Sequence, residues 1–271
     1  MRKSSIIIAF LAITITLSSC SEFRKAQKSD DWEYKYQTAL KYYEKGDYYK
    51  AIFLFEEVQP FVKVRKEGED LLFKYAYSYY HYKDQYIYAA SLFESFYTTY
   101  ARSEKATEAR FMQAYCLYKQ SPQYNLDQTY TIEAIDLMQN FLNKYPESEY
   151  APRAEEIIQE LRVKLEKKAY ENAKTYYQLR YYKSAMTALD NFRQEYPDSK
   201  HLEETEFLKL QATYNHAKLS IRSKQVERYK ETVEAYEKFV SKFPSSSYLK
   251  EAEKIQEDAL QEINKLKTQN S

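Results

Sequence analysis

Small and aromatic residues recur along this chain at a fixed interval. Ala134, Met138, Phe141 and Tyr145 lead up to Pro146, and Ala185, Leu189, Phe192 and Tyr196 lead up to Pro197. Thr232, Tyr236, Phe239 and Phe243 precede Pro244 in the same steps. The ladder continues upstream without proline as Ala51, Phe55, Val58, Val62 and as Ala89, Phe93, Phe96, Tyr100. Steps of four, three and four residues put the side chains of each copy on one face of an α-helix. The small residue admits a neighbouring helix, and the large ones fill the groove beside it. Proline cannot continue a helix, so each ladder is expected to stop there. A serine two residues later (Ser148, Ser199, Ser246, and Ser103 in a copy lacking proline) suits the N-cap of the following helix.

A partner helix precedes each ladder. Ala39 and Tyr42 stand before Ala51 as Ala173 and Tyr176 stand before Ala185, so "KYYEKGDYYKAIFLFEEV" and "TYYQLRYYKSAMTALDNF" are copies of one helix–turn–helix unit. The order small, aromatic, then Ala-x3-Phe, then Pro resembles the tetratricopeptide repeat. The leading positions of that repeat are Lys35 and Thr38 in the first copy, Ala169 and Asn172 in the fourth. Steps between the small residues run from 38 to 51 residues, longer than the family norm, with "KQSPQYNLDQTY" (Lys119–Tyr130) an inserted loop. The expected architecture is all-α: an α-α superhelix of about five irregular tetratricopeptide-like helix pairs with a C-terminal capping helix. The units fall near 32-63, 69-101, 107-146, 166-197 and 210-244, within a repeat domain over 32-268. The capping helix, 246-268, carries Ala252, Ile255, Ala259, Ile263 and Leu266 on one stripe.

The N-terminus changes the picture. Arg2 and Lys3 precede the apolar run "IIIAFLAITITL" (Ile6–Leu17), too short to span a bilayer and read as the core of a signal peptide over 1-19. "LSSC" (Leu17–Cys20) resembles a bacterial lipobox, which makes Cys20 the acylated N-terminus; an ordinary secretory peptide cut nearby is the other reading. Residues 20-31 are polar and read as a tether from lipid to fold. Cleavage removes Arg2 and Lys3, leaving 39 Lys and Arg against 40 Asp and Glu, a net charge of −1. No basic excess speaks for nucleic-acid binding. With Cys20 acylated, Cys116 has no partner and reads as a small buried helix residue, so no intrachain disulfide is expected.

Little in the sequence points to catalysis. His81, His201 and His216 are scattered, and no HExxH, paired-cysteine, GxSxG or glycine-rich phosphate-binding pattern occurs. Carboxylate pairs such as Glu155–Glu156 read as solvated helix faces. The chain is read as a non-enzyme, without metal or cofactor beyond the lipid on Cys20. Tyrosine outnumbers phenylalanine 31 to 14, so many rings need water or a hydrogen-bond partner. The tetratricopeptide resemblance implies that the first helix of each pair lines a concave face. That places Glu33, Tyr36, Leu40, Tyr43, Asp70, Phe73, Tyr77 and Tyr80 inward. Tyr36, Leu40, Tyr43, Phe73, Tyr77 and Tyr80 are the candidate peptide-binding residues; packing between neighbouring helices is the competing reading of each.

Lipobox, tether and five irregular units together resemble the BamD family of lipoproteins. The likeness is most specific in "YPESEYAPRAEEIIQELRVKLEKKAYENAKTYYQLRYYKSAMTALDNFRQEYPDS" (Tyr145–Ser199), where a YPxSxY punctuation, a long helix, a paired-tyrosine helix and a second YPDS follow in that family's order. The resemblance implies a lipid-anchored protein on the periplasmic side of the outer membrane. It implies two kinds of partner: the periplasmic domains of a BamA-like barrel-forming subunit, docked by the C-terminal repeats, and unfolded outer-membrane substrates, met by the N-terminal ones. An envelope scaffold that recruits peptidoglycan enzymes or export components with similar repeats is the alternative.

Overall fold

A computed structural model describes residues 22–269, and all their regular structure is helical. After a short helical segment at residues 22–27 come α1 (Trp32–Glu44), α2 (Tyr48–Val62), α3 (Glu67–His81), α4 (Tyr86–Thr99), α5 (Ala106–Gln120) and α6 (Thr129–Lys144). They are followed by α7 (Ala151–Gln178), α8 (Tyr182–Glu195), α9 (Leu202–Lys218), α10 (Arg222–Lys242) and α11 (Leu249–Thr268). From α1 to α6, and again from α8 to α11, consecutive helices pack in an all-α, tetratricopeptide-like order; α9 also meets α11, and α7 meets α8 through Tyr170 and Phe192. The chain divides into two compact units between Leu161 and Arg162, a point inside α7.

The first unit has one continuous core. The ladder residues Phe55, Phe93, Phe96 and Phe141 are fully buried in it, each beside a fully buried small residue: Ala51, Ala89 or Ala134. The second unit has smaller clusters, around Leu189 with Ala173, around Phe207 with Phe239, and around Tyr229 with Ile263 and Leu266. Along α11, Ala252, Ala259, Ile263 and Leu266 of the expected stripe are buried and Ile255 is half-buried. Cys116 is fully buried, which pushes its thiol up to about 12.

The turns inside the pairs repeat a helix-ending pattern. The N–H groups of Gly46 and Asp47 bond back to the carbonyls of Tyr43 and Tyr42; those of Arg180 and Tyr181 bond to Tyr177 and Tyr176. Gly46 takes the left-handed backbone this ending requires (φ 73°), and Arg180 takes it with a side chain (φ 62°). The inserted loop between α5 and α6 is organised by buried Gln128. Its amide donates to the carbonyls of Gln123 (2.8 Å) and Leu126 (3.0 Å), and its carbonyl oxygen accepts from Thr131.

The turns between pairs differ from the expected N-caps. Ser103, Ser148, Ser199 and Ser246 each lie three residues ahead of the next helix. Their hydroxyls accept from the N–H two residues on, at Lys105, Tyr150, His201 and Tyr248 (3.0–3.2 Å). Each carbonyl accepts from the first helical residue, so serine builds the turn and does not cap the helix. Three of these hydroxyls also donate to a glutamate on the first helix of the pair just ended. Ser103 reaches Glu69 (2.7 Å), Ser199 reaches Glu166 (2.6 Å) and Ser246 reaches Glu203 (2.6 Å). Four residues past each glutamate, one turn along the same face, an aromatic ring meets the ladder phenylalanine: Phe73 with Phe96, Tyr170 with Phe192, Phe207 with Phe239. The residue after the serine turn covers that ring, His201 stacking on Tyr170 at 4.3 Å and Tyr248 on Phe207 at 4.5 Å. The third pair, with Thr107 in place of glutamate, keeps the stack through Tyr150 on Phe111.

Two further expectations change. Residues 22–27 are not a free polar tether. Phe23 places its ring 5.9 Å from Tyr42 and 5.6 Å from Phe53, Ala26 is fully buried, and Glu22 pairs with Lys41 at 2.6 Å. One aromatic and one small residue, set three apart, dock this short segment together with the Glu22–Lys41 pair. The fourth pair begins earlier than residue 166, because α7 runs 28 residues from Ala151.

Candidate functional site

The first helices of successive pairs are knitted by tyrosine–carboxylate bonds. On α1, Tyr36 is buried and donates to Asp70 of α3 at 2.9 Å. Asp70 also accepts from Lys74 at 2.6 Å and lies 3.4 Å from the Lys105 ammonium. On α3, Tyr77 donates to Glu108 of α5; on α5, Tyr118 donates to Glu160 of α7 at 2.6 Å. Lys174 of α7 pairs with Glu204 of α9 at 2.9 Å within the second unit. Burial would raise the Asp70 carboxyl, but the hydrogen bonds from Lys74 and Tyr36 and the charges of Lys74 and Lys105 outweigh it and hold the group below its usual range. The tyrosines move the other way. Burial, then the bond to a carboxylate, raises the phenols of Tyr36 and Tyr77, and burial pushes Tyr80 up to about 12.

The six candidate residues are not equivalent. Tyr36 and Phe73 belong to the core, Phe73 lying 5.0 Å from both Phe96 and Tyr77. Leu40, Tyr43, Tyr77 and Tyr80 are half-buried and keep part of their surface in water. The expected open groove of six is therefore four accessible residues backed by two core residues, because rings on one helix face divide between the seam and the surface.

Residues absent from the expectation join three of them, Tyr43, Tyr77 and Tyr80, into a row, with Tyr77 lying 6.1 Å from His81 and 6.2 Å from Tyr80. Tyr43 meets Tyr48 edge-on at 5.9 Å, and Tyr48 stacks on His81 at 4.9 Å. His81 meets Tyr80 at 4.9 Å, which in turn lies 6.2 Å from Tyr115. Burial lowers the His81 pKa, favouring the neutral imidazole among these rings. The doubled tyrosines at Tyr42–Tyr43 and Tyr79–Tyr80 were the available signal: adjacent rings on a helix cannot both enter the core, and Tyr43, Tyr79 and Tyr80 are only half-buried. Such a row can take apolar and aromatic side chains against ring faces and offer hydroxyls to a backbone. Among the described residues no cluster of His, Cys, Asp or Glu could hold a metal ion.

Cys20 and the signal peptide lie outside the described residues. Among the described ones, no helix is long and apolar enough to cross a membrane.

The model of the YfiO family, outer membrane lipoproteins, matches residues 28–185 and 163–267. A putative outer membrane protein assembly factor BamD of Aquifex aeolicus (strain VF5) is 30% identical over 180 residues, 65% of this chain. The alignment spans 58% of that relative's length. The chain belongs to the YfiO family of outer membrane lipoproteins.

Proposed function

Because the chain is a member of this lipoprotein family, we propose that it is a non-enzymatic, lipid-anchored adaptor in the assembly of outer-membrane β-barrel proteins. The observation that carries the reading is the family match, which runs through every helix pair from residue 28 to residue 267. The name of the Aquifex relative points to the same process. Acylation of Cys20 supplies the anchor. Several acyl chains at about 0.8 kcal/mol per buried CH₂ hold a protein stably at a membrane, where one chain would not. Anchoring also keeps the adaptor at high effective concentration beside a membrane partner.

Within this role the ring row of the first unit is the substrate-recognition surface. Leu40, Tyr43, Tyr77 and Tyr80 contact extended, aromatic-ended segments of unfolded barrel proteins, while Tyr36 and Phe73 hold them from behind. The tyrosine–carboxylate bonds support this reading, since hydroxyls already held by Asp70 and Glu108 fix the rings before a ligand arrives. The helix pairs of the second unit bind the periplasmic domains of the barrel-forming subunit.

Affinity capture of the detergent-extracted lipoprotein tests the adaptor role. Co-purification of a barrel-type membrane protein is the expected outcome; recovery of peptidoglycan enzymes or export components in its place would favour the envelope-scaffold alternative. Replacing Cys20 with serine should release the protein from membranes with its helicity intact. Tyr43→Ala with Tyr80→Ala should weaken crosslinking to aromatic-ended peptides, and undiminished crosslinking would move the peptide site elsewhere.

A further inference from the structure

A second aromatic strip lies beside the point where the described chain begins. Glu22 pairs with Lys41 in the last turn of α1, and Phe23 packs on Tyr42 and Phe53. Tyr49 stands four residues before Phe53 on α2, so the two share a face one turn apart. The Tyr49 ring is 58% exposed and lies 5.9 Å from Tyr82, over which the Lys83 ammonium sits at 5.2 Å. Tyr82 follows α3 directly and its N–H bonds to the carbonyl of Tyr79, whose ring stacks at 5.6 Å on Tyr88, itself 63% exposed. The strip thus runs from Phe23 through Tyr49 and Tyr82 to Tyr88, across the first turns of α2 and α4. Arg24 and Lys25 are exposed on the leading segment.

We propose that this strip rests on the surface of the lipid bilayer in which Cys20 is anchored. The inference depends on the reading of Cys20 as acylated. Because residues 22–27 are docked on α1 and α2, the expected slack between lipid and fold is missing. Only Ser21 stands between Cys20 and Glu22, a span of about 7 Å of fully extended chain at most. Protein surface within that reach of the acyl chains faces headgroups. The side chains there suit the position. Tyrosine settles at membrane interfaces with its ring toward the acyl boundary and its hydroxyl in water. Exposed Arg24, Lys25 and Lys83 complement lipid phosphates. The strip therefore orients the first unit, where a lipid on a loose tether would only retain it.

The test uses the full-length lipoprotein in phosphatidylethanolamine–phosphatidylglycerol vesicles, with a nitroxide on Tyr88→Cys or Tyr49→Cys. Val64→Cys serves as the reference, because Val64 is 95% exposed and lies past the far end of α2. The readout is nitroxide accessibility to oxygen relative to a water-soluble nickel chelate, with and without vesicles. The ratio should rise at positions 49 and 88 on vesicles and stay unchanged at 64. In protein that floats with the vesicles, no rise at 49 and 88, or an equal rise at 64, overturns the proposal. Protein that fails to float and lacks acyl mass overturns the anchor reading and this proposal together.

Discussion

Ser199 donates its hydroxyl to Glu166 at 2.6 Å across 33 residues of sequence, fastening the turn after α8 to the helix that opened the same pair. A hydrogen bond to a half-buried carboxylate contributes about 1 kcal/mol or somewhat more. Ser199→Ala should therefore lower stability by about that amount. In a double-mutant cycle with Glu166→Ala the losses should overlap rather than add. Denaturant melts of the single and double variants measure the coupling, and strict additivity would show that the contact contributes nothing.

Ala185 is fully buried where α8 meets its neighbours, alongside Leu189 and Phe192. Ala185→Leu should overpack that seam and cost about 1–3 kcal/mol. An unchanged thermal midpoint would remove Ala185 from the seam.

Gly68 and Arg180 give substitutions of opposite sign. A Cβ on Gly68 would collide with the carbonyl oxygen of Val62 and the hydroxyl of Tyr100, so Gly68→Ala should destabilise by about 1–3 kcal/mol. Arg180 holds the left-handed conformation that Gly46 holds in the first pair. Arg180→Gly should raise stability by about 0.5–1 kcal/mol, the relief of left-handed strain less the entropy that glycine adds to the unfolded chain. Thermal melts of the two variants should shift in opposite directions.

Asp70 makes stability depend on pH in a stated direction. Its folded carboxyl lies below the ordinary value of 3.8, so the unfolded chain takes up the proton first on acidification. The stabilisation from Asp70 is fully present above about pH 3.8 and is lost as pH falls through the lowered folded value. Asp70→Asn should lower the melting temperature at pH 7, and the gap to the unmodified protein should shrink below pH 3.8. A constant gap across that range would mean that the charge of Asp70 plays no part.

Much of the fold could be read from the sequence because its signals are local. The ladder of small and aromatic residues needs only helical periodicity, and Phe55, Phe93, Phe96, Phe141, Phe192 and Phe239 are all at most 2% exposed. The ladders ahead of Pro146, Pro197 and Pro244 stop as expected, but proline is not required. Tyr100 ends α4 with the backbone seen at Tyr145, Tyr196 and Phe243, although Ala101 follows it; the bond from its N–H to the Phe96 carbonyl and the serine turn suffice. What was missed joins residues far apart in sequence. No local window links Ser103 to Glu69, although glutamate four residues before an aromatic at Glu69–Phe73, Glu166–Tyr170 and Glu203–Phe207 was present as a hint. The candidate site was half legible for the same reason. The tetratricopeptide resemblance put Tyr36 and Tyr77 on one helix face, but a partner on the next pair decides whether such a ring is core or surface.

The serine joint has a consequence for how such a chain can grow. In the fourth pair every participant, from Glu166 and Tyr170 to Phe192, Ser199 and His201, lies within one stretch of 36 residues. A duplicated segment would carry its own coupling with it, so copies could be added or deleted without rewriting the residues that fasten them. Length becomes an adjustable property, set by gene duplication, while each junction is inherited ready-made.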